Sequence, residues 1–308
     1  MERLRPRIAQ VIEPWVLVAL AAAAVQTVRF ALQKSLRGTG LSSGGATFSR
    51  FIFAAPIALA VTAVWLALRG EPLPATTLRF WTFVAIGGLS QIVATMATVQ
   101  LFAERNFAVG VAFTKTETIL VVLFSLVLLG EPVAPAGLGA ILIGVVGVML
   151  LSWKTGGGRL ALFNRASGLG LVAGALFGLA AIGYRGATLE IANDSAFFRA
   201  VVTLAAVTTF QSLAMAAYLR MAQPGEMTRV AKRWRVTSLV GVTGMLGSLG
   251  WFVAFALQNA AYVRALGQIE LVFSLMVSWF LFKDRSTRRE VVGMVLLLAS
   301  IVVLILVT

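Results

Sequence analysis

Ten long apolar runs, separated by short polar loops, restrict this chain to a structure embedded in a lipid bilayer. Each run approaches the roughly 20 residues with which a helix crosses a hydrocarbon core of about 30 Å. The runs are continuous rather than alternating, so the pattern predicts helices and not the strands of a barrel. The predicted spans cover residues 15–36, 45–68, 80–102, 107–129, 135–153, 168–189, 195–219, 236–257, 263–282 and 289–307.

The second half of the chain repeats the first. When residues 81–151 are laid over 234–304 without a gap, Glu117 meets Glu270. The other coinciding pairs are Trp81 and Trp234, Gly88 and Gly241, Phe102 and Phe255, Asn106 and Asn259, Ser125 and Ser278, and Glu131 and Asp284, all 153 residues apart. Nearer the start of each half, Arg29 matches Arg185 at 156 residues and Arg50 matches Arg199 at 149.

The duplication predicts two domains, residues 1–155 and 156–308, with five spans each. Because five is odd, the second half enters the membrane from the opposite side to the first. We therefore expect an all-α integral membrane protein of ten transmembrane helices, arranged as two inverted five-helix repeats. Secondary transporters commonly have this architecture, with the binding site near the membrane midplane between the repeats.

Seven ionisable side chains lie well inside the predicted spans, where a charge is costly and indicates function by default. Glu117 and Glu270 are near mid-span, and the basic members are Arg29, Arg50, Lys115, Arg185 and Arg199. Two interpretations stay open. The acids either neutralise basic side chains of neighbouring helices and fix their packing, or line a translocation pathway. In the second case the excess of positive charge would suit a substrate with a carboxylate or other anionic group.

Polar and aromatic side chains within the runs extend this set. Gln26 and Gln91 could bind a substrate or link helices, and Trp251 could form an apolar part of a pocket. The candidate substrate-binding or coupling residues are Glu117, Glu270, Lys115, Arg29, Arg185, Arg50, Arg199, Gln26, Gln91 and Trp251.

Several kinds of chemistry are excluded or unsupported by composition. The chain has no Cys and no His, which removes thiolate and imidazole catalysis and the usual zinc ligands. We predict no catalytic residues, no metal site and no cofactor. The net charge of +14 is carried mostly by short loops, so it indicates membrane topology and lipid headgroup contacts rather than nucleic-acid binding.

A short motif closes the fourth span: Leu-Gly-Glu-Pro at residues 129–132, followed by a Gly-rich fifth span. With ten spans and a five-plus-five duplication, the chain resembles the drug/metabolite transporter superfamily, specifically its EamA-type members. These commonly carry an Arg early in the second span of each repeat, matched here by Arg50 and Arg199. The second half departs from the pattern, since Lys-Asp-Arg at residues 283–285 stands where Gly-Glu is expected.

The resemblance implies a secondary transporter in the bacterial inner (plasma) membrane and no enzymatic activity. Its substrates would be small organic solutes, such as amino acids, other metabolites or drugs, moved by alternating access. The chain lacks a phosphate-loop motif, so energy would come from an ion or solute gradient. The alternatives are a flippase for a lipid-like substrate, a membrane-embedded transferase, and a receptor or scaffold that transports nothing.

The orientation in the membrane stays open. An even number of spans puts both termini on one side, and the resemblance implies that this side is the cytoplasm. The loops on that side carry Arg3, Arg5, Arg7, Arg69, Arg79 and Arg264, whereas those on the other side carry fifteen cations. The positive-inside rule therefore favours external termini. The substrate, the direction of transport, the coupling ion and the oligomeric state are also left open. A monomer is one of the oligomeric states that the sequence allows.

Overall fold

The computed structural model describes residues 13–35, 40–101, 114–152, 165–273, 276 and 288–308. Every regular element within these ranges is a helix, as the all-α prediction requires. The helices are α1 (Pro14–Ser35), α2 (Ser43–Ile52), α3 (Ala54–Arg69), α4 (Leu78–Leu101), α5 (Glu117–Phe124), α6 (Pro135–Ser152), α7 (Arg165–Leu189), α8 (Ala196–Ala222), α9 (Glu226–Lys232), α10 (Trp234–Leu257), α11 (Ala260–Gly267) and α12 (Arg288–Val307), with a π-helical turn at Ser125–Leu129.

Among the described residues, five helical segments are long and apolar enough to cross a membrane: Ser43–Arg69, which joins α2 and α3, together with α4, α7, α8 and α10. Four shorter apolar helices are Pro14–Phe30, Glu117–Leu129, Pro135–Leu151 and Val291–Val307. Each of these nine segments overlaps a predicted span. Several residues of the predicted spans at 107–129 and 263–282 lie outside the described residues. Outward-facing Leu68 and Leu213 are 80% and 67% exposed, which is typical of a lipid-facing surface.

The second span is interrupted where α2 ends and α3 begins. Pro56 lies in the first turn of α3 and has no N–H to donate to the carbonyl of Ile52, so the helical hydrogen bonds stop there. At the other end of α2, the Ser42 hydroxyl accepts from the Gly45 N–H, and the Ser42 N–H donates to a carboxylate oxygen of buried Glu226 at 2.6 Å. Both contacts satisfy donors at the start of α2, as helix caps do.

The Gly-Glu pair that closes the fourth span has a structural basis. Gly130 has a φ of 69°, in the left-handed region, and its N–H donates back to the π-helical turn. Glycine adopts this conformation without strain, which makes it a common helix terminator. The chain changes direction at Gly130 and leaves Glu131 beside Arg185 of α7, with 2.6 Å between Glu131 Oε1 and Arg185 Nη2. The motif therefore ends one helix and ties it to another.

Four helix pairs make the most extensive contacts between elements. The first span, α1, packs along α10, and α4 packs along α7; α6 packs along α12, and the interrupted α2–α3 span packs along α8. Two of these pairs meet through glycines. A Cβ on Gly183 would lie 2.6 Å from Gly87 Cα, and a Cβ on Gly147 would lie 2.8 Å from the Gly293 carbonyl oxygen. Small residues permit such close approach between membrane helices.

The contact between α4 and α7 makes a first prediction about stability. Gly183→Ala should lower the free energy of unfolding by about 1–3 kcal/mol, which is the usual range for overpacking. The added methyl would meet backbone atoms of Gly87 and the carbonyl oxygen of Phe83 at 2.9 Å, and backbone cannot rotate aside.

Gly168→Ala is the matched control, because a Cβ at this position of the same helix meets nothing within 4 Å. It should be neutral or slightly stabilising, since Ala favours helix over Gly. Thermal unfolding in detergent measures both variants. Equal melting temperatures would show that the close approach of α4 and α7 contributes nothing to stability.

Candidate functional site

A cavity of about 230 Å³ lies among helices from both halves of the chain. It is slightly smaller than most sites for drug-sized ligands, which occupy about 300–1,000 Å³. Eight of the ten candidate residues from the sequence line it: Gln26, Arg29, Arg50, Gln91, Lys115, Glu117, Trp251 and Glu270. The structure thus brings together both acids and the polar groups of α1, α2 and α4.

The apolar part of the lining is mainly aromatic. Its rings belong to Phe30, Phe177, Tyr184, Trp251, Phe252 and Phe255, which we call the aromatic wall. Tyr184 and Phe252 stack with their ring centroids 4.4 Å apart, and Trp251 lies 6.4 Å from Phe255 at a shallow angle. Five of the six rings come from α7 and α10, so the second half of the chain supplies most of this wall.

Glu117 forms a buried ion pair with Arg264. The first residue of α5, Glu117, places its Oε1 2.5 Å from Arg264 Nε, and the two side chains are 8% and 16% exposed. The Arg264 guanidinium also lies over the Trp251 ring, 5.2 Å from its centroid. Arg264 is thus a charged residue of the cavity and not a loop cation.

The position of Arg264 contradicts its predicted place among the loop cations, which rests on a ninth span that begins at residue 263. The structure begins α11 at Ala260, after Asn259, whose side chain accepts a hydrogen bond from the Ala261 N–H at 2.8 Å. Asn is a preferred helix N-cap, so this start was a signal available in the sequence. It places Arg264 one turn inside the helix, where the ion pair with Glu117 compensates its burial.

Glu270 is connected to two helices of the bundle through Gln26. The Gln26 amide donates to Glu270 Oε1 at 2.5 Å, and its oxygen accepts from the Trp251 indole N–H at 3.0 Å. Glu270, Gln26 and Trp251 are all buried. The Gln26 side chain is therefore held at both ends, which orients the Glu270 carboxylate at the cavity wall.

Arg29 and Arg50 enter the cavity with neutral partners. Arg29 donates to the Gln33 side-chain oxygen at 2.8 Å, while Arg50 donates to the hydroxyls of Thr95 at 3.3 Å and Ser248 at 3.5 Å. Each arginine is only 3% exposed. Within the described ranges, no carboxylate oxygen lies within 4.0 Å of either guanidinium.

The other two candidate arginines are engaged elsewhere and are not among the lining residues. Arg185 pairs with Glu131 and donates to the Phe255 carbonyl at 2.5 Å, and Arg199 donates to the Ala256 carbonyl at 2.9 Å. Both carbonyls belong to the last turn of α10, where helical acceptors lack partners and cations are favoured. These two arginines therefore cap a helix end.

Tyr184 and Ser248 are among the polar residues of the cavity that sequence reasoning missed. The Tyr184 hydroxyl donates to Gln91 at 2.7 Å, and the same Gln91 oxygen accepts from Gln211 at 2.9 Å. No pattern in the sequence marks Tyr184. Ser248 did have a signal, because it lies 153 residues after Thr95, the offset of the duplication, and both hydroxyls accept from Arg50.

Comparison with known proteins agrees with this architecture. A crystal structure of another protein is similar to this chain with a TM-score of 0.70 and 16% sequence identity, over 94% of this chain and 95% of the other. At that identity the likeness concerns the fold alone. No curated protein sequence matches the chain. Residues 13–153, however, match the sequence model of the EamA-like transporter family, and this confirms the resemblance inferred from the sequence. Residues 13–153, within the first half of the chain, are thus similar to the EamA-like transporter family, whose members are membrane transporters of the drug/metabolite transporter superfamily.

Proposed function

We propose that this protein is a secondary transporter that moves a small organic solute across the bilayer through the cavity. The observation that carries the proposal is a cavity lined by ionisable and aromatic side chains from both halves of an EamA-like chain. Charges inside a membrane protein mark substrate or ion pathways. A charged lining also favours a polar solute over the lipid-like substrate of a flippase.

We further propose that residues 1–155 and 156–308 are two inverted five-helix repeats, with alternating access between them. The helix contacts support this arrangement: exchanging the halves converts the pair of α1 and α10 into the pair of α4 and α7. The same exchange converts the pair of α6 and α12 into itself. Transporters with inverted repeats open to one side and then the other by rocking one repeat against the other around a central site. Under this proposal both termini lie on one side of a bacterial inner membrane.

The inverted arrangement predicts that equivalent loop positions lie on opposite sides of the membrane. Ala75 and Thr228 are 153 residues apart and both exposed. Because the chain has no Cys, Ala75→Cys and Thr228→Cys each introduce one thiol, and the unchanged chain is a control without background. A membrane-impermeant maleimide applied to intact cells should label one variant, and the other only after permeabilisation. Labelling of both from the same side would contradict the inverted repeats.

The transport proposal predicts that transport requires the negative charge of Glu270. Glu270→Gln retains an oxygen that can accept from Gln26 but removes the charge, so folding should persist. Uptake of a mixed library of organic solutes into proteoliposomes, measured by mass spectrometry, should fall at least about tenfold. In this role Glu270 takes part in coupling rather than in binding the substrate, and a tenfold fall corresponds to about 1.4 kcal/mol.

Glu190→Gln is the control for this experiment, because Glu190 pairs with exposed Arg79 and is not among the cavity-lining residues. It should transport as the unchanged protein does. Full uptake by a folded Glu270→Gln variant would remove this acid from the mechanism, and no uptake of any library member by the unchanged protein would contradict the proposed function.

The ion pair of Glu117 with Arg264 predicts a large effect on stability. Glu117→Gln leaves a buried guanidinium without its counter-charge, which costs about 3–5 kcal/mol in soluble precedents. Adding Arg264→Gln should recover much of this loss, and a double-mutant cycle on thermal unfolding measures the coupling. Glu190→Gln breaks a pair whose Arg79 side chain is 67% exposed and should cost less than about 1 kcal/mol. Additive effects of the Glu117 and Arg264 changes would refute the coupling.

A further inference from the structure

The charged lining of the cavity is unbalanced. Among the described residues, four basic side chains and two acidic ones line it: Arg29, Arg50, Lys115 and Arg264, with Glu117 and Glu270. Charges inside a membrane protein are costly and normally pair with one another or face a cavity. In the part of the lining that the structure describes, two positive charges are therefore left without an acidic counterpart, and a bound anion would compensate them.

The two acids of the cavity are already engaged within the protein. Glu117 is 2.5 Å from Arg264, and Glu270 accepts from Gln26 at the same distance. A substrate with an ammonium group would have to displace Arg264 or Gln26 to reach either carboxylate. Among its described residues, the lining thus offers no ready acidic partner for an amino group.

The guanidinium groups of Arg29 and Arg50 have the opposite character. A guanidinium has five N–H donors, yet among the described residues Arg29 donates only to Gln33, and Arg50 makes two long hydrogen bonds to hydroxyls. Both groups are buried and both line the cavity. Burying a charge is unfavourable unless it is paired, so an oxyanion placed here would gain both charge compensation and hydrogen bonds.

Arg29 and Arg50 also lie close enough together to bind one anionic group of a substrate. A Cβ on Gly244 of α10 would lie 3.1 Å from Arg50 Cγ and 3.5 Å from Arg29 Cδ, so both side chains pass the same glycine. Phe30 lies beside them, with its ring centroid 4.3 Å from the Arg29 guanidinium carbon. The planar fork of an arginine suits carboxylates and phosphates, and the aromatic wall begins directly next to it.

We propose, building on the transport function proposed above, that the substrate is an organic anion that needs no amino group. Its carboxylate or other oxyanion binds between Arg29 and Arg50, and its apolar body packs against the aromatic wall. The site thereby selects substrates by negative charge together with an apolar or aromatic body.

Matched probes test this selection on the purified, full-length protein in nanodiscs by isothermal titration calorimetry. The probes are 3-phenylpropionate, 3-phenylpropan-1-ol, 3-phenylpropylamine and phenylalanine, which share one phenyl group and differ in charge. The carboxylate should bind at least about tenfold more tightly than the alcohol or the amine, a difference of about 1.4 kcal/mol. Phenylalanine should bind no more tightly than 3-phenylpropionate. No binding of the carboxylate, or equal binding of the alcohol, overturns the proposal, as does a tenfold gain from the amino group.

Two variants localise the anion. Arg50→Gln should reduce the affinity for 3-phenylpropionate at least about tenfold and leave the affinity for 3-phenylpropan-1-ol unchanged. Arg199→Gln is the matched control, because Arg199 is the counterpart of Arg50 in the second half and is not among the cavity-lining residues. It should keep the preference for the carboxylate. Arg29→Gln gives the same test if Arg50→Gln does not fold, and a carboxylate preference that survives Arg29→Gln or Arg50→Gln overturns the assignment.

Failure of this inference is distinguishable from failure of the transport proposal. Binding to the purified protein does not depend on movement across a membrane. Carboxylate binding without uptake into proteoliposomes would remove the transport function and retain the anion site. Uptake of neutral or cationic solutes, without a preference for the carboxylate among the four probes, would retain the transporter and remove the anion site.

Discussion

The constraint on which this structure depends is that a guanidinium group buried in a membrane protein must be compensated. Arg264 is compensated by the Glu117 carboxylate, and Arg185 by Glu131 together with a carbonyl at the end of α10. Arg199 bonds a carbonyl of the same helix end. These contacts join α5 to α11 and tie α7 and α8 to α10, so the charges also determine which helices are neighbours. Arg29 and Arg50 have only neutral partners among the described residues, and both line the cavity.

Close helix packing is the second requirement, because it gives the cavity rigid walls. Gly87 and Gly183 let α4 and α7 approach with backbone in contact, and Gly147 and Gly293 do the same for α6 and α12. Gly244 has a different role, since its missing side chain leaves room for the stems of Arg29 and Arg50. Lipid tails are as apolar as the helix surfaces, so such contacts and polar links stabilise the bundle in place of a hydrophobic effect.

Much of the architecture could be predicted from the sequence, because each membrane span is a continuous apolar run of residues. The duplication, the cost of intramembrane charge, and the polar and aromatic side chains within apolar runs also indicated eight residues that line the cavity. That Arg185 and Arg199 are not among the cavity-lining residues could not be predicted, because it depends on where the last turn of α10 lies in three dimensions. Arg264 was misplaced because hydropathy draws a span boundary at a charge, whereas the Asn259 cap begins the helix earlier. Tyr184 resembles any other aromatic residue in an apolar run.

The partners of Arg50 have a consequence for how the two halves of the chain contribute. Arg50 bonds to Thr95 and Ser248, which occupy equivalent positions in the two halves, whereas its own counterpart, Arg199, bonds to main chain. The first half supplies Arg29, Arg50 and Lys115, and the second supplies Arg264 and most of the aromatic wall. The two halves of the chain thus contribute different side chains to the cavity. Under the inverted repeats proposed above, two copies of either half, assembled as a dimer, would reproduce the helix arrangement without reproducing this cavity.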